Sequence, residues 1–276
     1  MGTLFLVATP IGNLEDISAR ALRILSQALM VAAEDTRHTR KLLGHYQIHT
    51  PLTSYHEHNK LTKLDVVMDA LERGDVALVS DAGTPALNDP GFELVRAALK
   101  AGHQVSPIPG ACAPVSALVA SGLPTDAFLY LGYLPRKTLE RRQKIQEIAD
   151  LPYTLIVLET PHRLLSALQD LLEVLGDRQV AVARELTKLH EEIFRAALSQ
   201  ALAHFQVVAP RGEFTLVIAG KPPLGVNWDE ARLRSELEEA LRQGEKGSQA
   251  AARLASLSGW PRRKVYRMAT EIAKSI

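Results

Sequence analysis

The chain has 276 residues, 46% hydrophobic and 23% charged, the composition of a folded globular protein rather than a disordered or fibrous one; at ~150 residues per domain, its length suggests two domains. Its apolar runs fall far short of the ~20 residues that span a bilayer, and a single cysteine, Cys112, excludes a disulfide framework or a four-thiolate zinc site within one chain. The opening Met1-Gly2-Thr3-Leu4-Phe5-Leu6-Val7 has no basic leader and runs straight into a strand-like segment, so a cytoplasmic protein without a membrane partner is expected.

From the amino end, a strand-like run over 4–8 precedes a helical pattern over 17–29, with Ile17, Ala21, Leu22, Leu25 and Leu29 on one face. Further strands are expected over 29–33, 76–80, 104–107 and 128–131, separated by helices over 61–73, 91–101 and 113–121. This alternation predicts an α/β sheet with helices on its faces. Gly122-Leu123-Pro124-Thr125-Asp126 reads as a seam. A second α/β set follows, with strands over 153–158, 179–183 and 214–219 and helices over 162–175 and 198–205. Beyond the linker-like Gly220-Lys221-Pro222-Pro223-Leu224-Gly225 only helices are expected. The division is therefore 1–122, 123–224 and 225–276.

Charge is balanced overall, at +1, but not along the chain. Residues 246–276 hold seven cations and one acid, a net of +6, which leaves −5 on residues 1–245. A second basic run covers 136–144, with five cations and one acid. One such run reads as a solvated helix face; two of them point to a polyanionic partner such as RNA.

Ligands of open α/β sheets bind beyond the carboxyl ends of the strands. Three of those ends are unusual: Thr9-Pro10-Ile11-Gly12-Asn13, Asp81-Ala82-Gly83-Thr84-Pro85 and Pro109-Gly110-Ala111-Cys112-Ala113. None is a phosphate cradle of the G-x-G-x-x-G or G-x-x-x-x-G-K-[ST] type. Proline stiffens these loops and glycine lets backbone approach a ligand closely, so a nucleotide-like ligand without phosphates fits better than NAD or ATP.

With Val7-Ala8-Thr9-Pro10-Ile11-Gly12-Asn13-Leu14-Glu15-Asp16-Ile17, Ala33-Glu34-Asp35-Thr36-Arg37, Tyr55-His56-Glu57-His58-Asn59, Val79-Ser80-Asp81-Ala82-Gly83-Thr84-Pro85 and Arg184-Glu185-Leu186-Thr187-Lys188, the chain resembles the tetrapyrrole methylase-like (class III) S-adenosylmethionine-dependent methyltransferases, in particular their rRNA small-subunit methyltransferase I subfamily. The wider family carries Gly-Asp-Pro where this chain has Gly83-Thr84-Pro85. The resemblance implies two α/β domains with the cofactor cleft between them, a homodimer, and 2′-O-methylation of a cytidine ribose in the decoding centre of 16S rRNA within the small ribosomal subunit. By position it implies contacts to S-adenosyl-L-methionine from Pro10, Asp81, Gly83, Thr84, Leu87, Cys112, Ala113 and Leu158. Residues 248–260 read as a helix closing on a glycine turn, and Pro261 opens a second helix over 262–269. This helix-turn-helix-like pattern resembles the small all-α carboxyl-terminal domain of the rRNA enzymes; a dimerisation hairpin is the other reading.

A ribose hydroxyl is weakly acidic, so its methylation calls for a positioned base or for a cation that lowers its pKa. Polar groups near strand ends offer Asp35, His56 or Glu185 as proton acceptor, with Arg37 and Lys188 holding a phosphate or stabilising alkoxide. Each has a plainer alternative. Asp35 could cap a helix over 37–43, Arg184, Glu185 and Lys188 could form a surface ion pair, and His56-Glu57-His58, set on a strand, lacks metal-ligand spacing. The rival functions are a small-molecule or protein methylase on the same fold and a non-catalytic RNA-binding assembly factor.

Overall fold

The computed structural model describes residues 2–222 and 228–273; Pro223, Leu224 and Gly225 of the expected linker and Lys274 of the basic tail lie outside them. The first sheet is parallel throughout, in the order β3 (Leu52–Ser54), β2 (Met30–Ala33), β4 (Val76–Val79), β1 (Thr3–Val7), β5 (Gln104–Ile108). Because successive strand residues point to opposite faces, Val31, Ala33, Ala77 and Val79 meet the buried stripe of α1 (Ala19–Gln27) and Leu43 of α2 (Thr36–His45). Leu4, Ala32, Val76 and Leu78 meet α3 (Lys60–Arg73) and α4 (Phe92–Lys100) on the other face. Burial on both faces explains why these strands read as continuous apolar runs. The helix expected over 17–29 starts later, because Ser18 caps it by accepting the N–H of Ala21. The three-residue β3 carries no apolar run and was not expected.

The second sheet is mixed: β6 (Phe128–Tyr133), β7 (Thr154–Glu159), β10 (Phe214–Ile218), β8 (Gln179–Arg184), β9 (Glu192–Ala197). Only β6 and β7 run parallel; β10 is antiparallel to both of its neighbours, and β8 and β9 pair antiparallel. One face packs on α6 (Thr138–Ile148), α7 (Pro161–Leu175) and α8 (Leu198–Val207) through Leu155, Val157, Val180, Val182 and Leu216. The other receives α5 (Ala113–Ser121), whose Ala117 and Leu118 bury against Ile156, Ala181, Ala183 and Val217. Helix α5 thus lies in the 1–122 stretch of the chain but packs on the second sheet.

Among the described residues the carboxyl-terminal part is helical: α9 (Glu230–Arg242), α10 (Gly247–Ser258) and α11 (Arg262–Ala273) enclose a core of Trp228, Leu233, Leu237, Leu254, Val265 and Met268. Gly259, with φ +73°, ends α10 in the left-handed conformation that suits glycine, and Pro261 follows at the start of the next helix as expected.

Candidate functional site

The three unusual strand ends are stitched together. Thr9 and Gly83 exchange backbone hydrogen bonds of 2.9 and 3.0 Å, the Thr9 hydroxyl donates to the Ser80 carbonyl at 3.3 Å, and the Thr84 hydroxyl donates to the Ala111 carbonyl at 3.3 Å. Gly110 lies so close to β1 that a Cβ there would sit 2.9 Å from that of Ala8. Gly83 holds φ +78°, a conformation that costs a side-chain-bearing residue. A rigid rim of backbone results.

Between this rim and the second sheet lies a cleft of about 260 Å³. The first half contributes Ile11, Glu34, Asp81 to Thr84 and Leu87 to Asp89; the chain crossing contributes Cys112 to Pro114. Tyr130, Tyr133, Leu158, Ala183, Leu186, Lys188 and Glu213 to Thr215 close it from the second half. Two glycines let the halves approach. A Cβ on Gly12 would lie 2.3 Å from Cγ of Lys188, whose stem crosses it, and one on Gly132, beside an irregularity in β6 pairing, would lie 2.2 Å from Nδ2 of Asn88.

Of the positions named from the sequence, Asp81, Gly83, Thr84, Leu87, Cys112, Ala113, Leu158 and Lys188 line the cleft. Pro10 is next to the lining residue Ile11 but does not line it. Asp35, Arg37, His56 and Glu185 do not line it either. Asp35 donates its backbone N–H to Asp81 Oδ1 at 3.0 Å, while its carboxylate caps α2 through the Arg37 N–H at 2.8 Å and holds the Arg37 guanidinium at 2.7 and 3.1 Å. The Arg37 hydrogen bonds hold the Asp35 carboxyl far below its ordinary range, and the Arg37 side chain is 84% exposed. His56 sits in the turn leading into α3 rather than on a strand, with its ring centroid 6.1 Å from that of His58. Among the described residues no group of three or more His, Cys, Asp or Glu is arranged to hold a metal ion.

Glu185 and Thr187 adopt positive φ, +50° and +64°, in a tight loop after β8. Glu185 accepts from Lys188 Nζ at 3.0 Å and from the Glu213 N–H at 3.1 Å. Burial alone would raise the Glu185 carboxyl, but these two donors prevail and hold it below its usual value. Burial likewise works to lower the Lys188 ammonium, and the carboxylates of Glu185 and Glu213 prevail to hold it up. The ion pair anticipated as a surface feature is thus partly buried, and its cation faces the cleft.

Three acids and two phenols of the wall were not singled out from the sequence. Glu34 accepts the Asp81 N–H at 3.3 Å, and burial raises its carboxyl. Asp89 is pushed up to about 6, first by burial and then by the charges of Glu34 and Asp81, against a hydrogen bond from Ser80. Glu213 faces the same space. Burial pushes the Tyr130 phenol up to about 12 and raises that of Tyr133; the Tyr130 hydroxyl is buried without a partner among the described residues. The available signal was position: Glu34 directly follows a strand, and Asp89-Pro90-Gly91 is turn chemistry just before α4.

Residues 3–202 match the tetrapyrrole (corrin/porphyrin) methylases. The chain is 48% identical over 275 residues to ribosomal RNA small subunit methyltransferase I of Synechocystis sp., covering 99% of both chains. It is 47% identical over 270 residues to the protein of that name from Halalkalibacterium halodurans, covering 96% of this chain and 93% of the relative. The crystal structure of uroporphyrin-III C-methyltransferase from Thermus thermophilus, complexed with S-adenosyl homocysteine, shares the fold with a TM-score of 0.53 at 20% identity, covering 78% of this chain and 97% of that one. The stitched loops, the cleft between two α/β sheets and these matches agree: the chain belongs to the tetrapyrrole (corrin/porphyrin) methylase family.

Proposed function

We propose that this protein is an S-adenosylmethionine-dependent methyltransferase of small-subunit ribosomal RNA, and that the group methylated is the ribose 2′-hydroxyl of a cytidine in the decoding centre. The observation that carries the reading is the meeting of all three strand-end loops on one cleft in a chain that matches, over almost its whole length, relatives named for small-subunit rRNA methylation.

The residues present fit the donor. Asp81 and Glu34 line the cleft with negative charge, which complements a sulfonium cation, and the glycine at 83 leaves its backbone open to close approach. Asp81, Gly83, Thr84, Leu87, Cys112, Ala113 and Leu158 would hold the molecule, with Pro10 fixing the loop beside them. S-adenosylmethionine, when bound, supplies an electrophilic methyl group. The protein must then orient the acceptor hydroxyl and receive its proton.

Asp89 is suited to accept that proton, because it is a wall carboxylate with no salt bridge among the described residues, whereas Asp35 and Glu185 are each engaged by a cation. In this reading Asp35 fixes Asp81 through its backbone, Glu185 positions Lys188 at the cleft, and His56 and Arg37 lie on the approach of the RNA. Lys188 offers its charge to a phosphate or a developing alkoxide. The working form is a cytoplasmic homodimer. Exposed Val115 and Val119 on α5 supply apolar surface for it, and among the described residues no helix is long and apolar enough to cross a membrane.

The test is transfer of labelled methyl from S-adenosylmethionine to small ribosomal subunits from cells lacking this protein, with the modified nucleoside identified by mass spectrometry. A ribose-methylated cytidine is expected. Donor binding without transfer to RNA would send the search to small-molecule or protein acceptors, and no donor binding would favour an assembly factor.

A further inference from the structure

Helix α11 turns Val265, Met268, Ala269 and Ile272 inward to the core of its domain. A helix of 3.6 residues per turn then presents Arg263, Tyr266, Arg267 and Thr270 as a single outward stripe, flanked by Arg262 and Lys264. All six are exposed. Among the described residues none of the four cations forms a salt bridge, although Arg234, Arg242 and Arg253 of the same domain all do. Lys264 instead lies 4.3 Å from the Trp260 ring centroid.

The charge is also placed against the helix. Arg262, Arg263 and Lys264 fill the first turn of α11, which holds no acid, and the positive end of the helix dipole disfavours cations there. The Lys264 contact with Trp260 apart, neither folding nor internal pairing accounts for this arrangement, but an external polyanion would. We propose that the outward stripe of α11 docks RNA, with Arg263 and Arg267 on backbone phosphates and Tyr266, 52% exposed between them, stacked on an unpaired base.

The surroundings favour this occupant over others. A second copy docking through the same face across a two-fold axis would oppose cation to cation. A membrane would need the apolar face of the helix, and that face is already buried in the domain core. An acidic peptide would satisfy the arginines and leave no purpose for the flat, exposed ring at their centre.

The inference rests on the reading of RNA as substrate, and the experiment separates the two. The full chain, Arg263→Gln/Arg267→Gln and Tyr266→Ala are titrated with a small-subunit rRNA transcript at several salt concentrations, while donor affinity and methyl transfer to small subunits are followed in parallel. The double variant should bind RNA roughly tenfold or more weakly near 0.1 M salt and flatten the dependence of log K on log salt by about 1.5 to 2. Tyr266→Ala should bind roughly tenfold more weakly with the slope unchanged. Both should keep the donor affinity of the unaltered chain. Variants with unchanged RNA affinity and slope, in a chain that still methylates subunits, would overturn the docking surface alone. An unaltered chain that neither binds nor methylates RNA would overturn both, and a double variant that loses only self-association would assign the face to a second copy.

Discussion

In α6, Arg141 lies 3% exposed against Asp170, itself 3% exposed at the side chain, with Nη2 at 2.5 Å and Nε at 2.6 Å. Arg142 reaches the other oxygen of the same carboxylate at 2.6 Å and Glu173 at 2.7 Å, while Lys137 and Lys144 pair with Glu140 and Glu147. In α11 four cations face outward without a salt bridge among the described residues. The first is a fastener between α6 and α7, its charge neutralised inside the protein; the second is charge held in reserve. Density of lysine and arginine does not mark an RNA surface by itself. What separates these two helices is whether the fold has already neutralised their charge.

The strongest way to test that contrast is to remove Asp170. Asp170→Ala leaves Arg141 buried without its carboxylate and should destabilise the protein by about 3–5 kcal/mol, seen as a lower urea midpoint with little change in the slope of the transition. The contrast extends to acids. Asp35 is paired and Asp89 is not, among the described residues, so Asp89→Asn should lower turnover by ~10²-fold or more while leaving donor affinity within a few-fold. The pH sign follows from the raised pKa: Asp89 binds its proton more tightly in the folded chain than in the unfolded one. Its ionisation therefore works against folding, and stability from the protonated form is lost as pH rises through about 6. Activity that needs the carboxylate should climb over the same interval, and Asp89→Asn should abolish that climb.

A gentler test moves a paired charge without deleting it. Gly12→Ala puts a methyl group 2.3 Å from Cγ of Lys188, on backbone that a side-chain-bearing residue rarely adopts, so turnover should fall roughly tenfold as the ammonium is displaced, read as a fall in kcat beside a melting temperature lowered by the local strain. The smallest effect belongs to α11. Arg263→Glu relieves the clash with the helix dipole and should raise Tm by ~1 °C at low salt, even as it weakens RNA binding. A variant that gained in neither direction would erase the distinction between the two helices.

The loops of the site were legible because their chemistry is local: Pro10, Gly83, Thr84 and the Pro109-Gly110 turn announce stiff, close-approaching backbone wherever they occur. Asp89, Glu34 and Tyr130 were not, since a carboxyl or phenol becomes special only when the opposite half of the cleft removes its water. The same limit explains the elements. The core strands of both sheets stood out as apolar runs, whereas β9, an edge strand reading Glu192-Ile193-Phe194-Arg195-Ala196-Ala197, mixes charge with apolar residues and gave no run to find. Helix α5 looked like part of the first domain because chain order is all a sequence offers; its packing on the second sheet depends on partners 40 to 100 residues further along. For 136–144, the partners that neutralise Arg141 and Arg142 lie on α7, out of reach of any local pattern.

The Trp260 indole N–H donates to the Trp228 carbonyl at 2.7 Å, with the Lys264 ammonium over its ring, and these are the chain's two tryptophans. Both belong to the three-helix domain. Tryptophan emission, excited on the red side of tyrosine absorption so that Tyr130 and Tyr133 of the cleft wall stay silent, is therefore a local reporter: it should shift when α11 meets its partner and stay unchanged by the methyl donor, so one cuvette and no dye can time the arrival of RNA separately from the loading of the site.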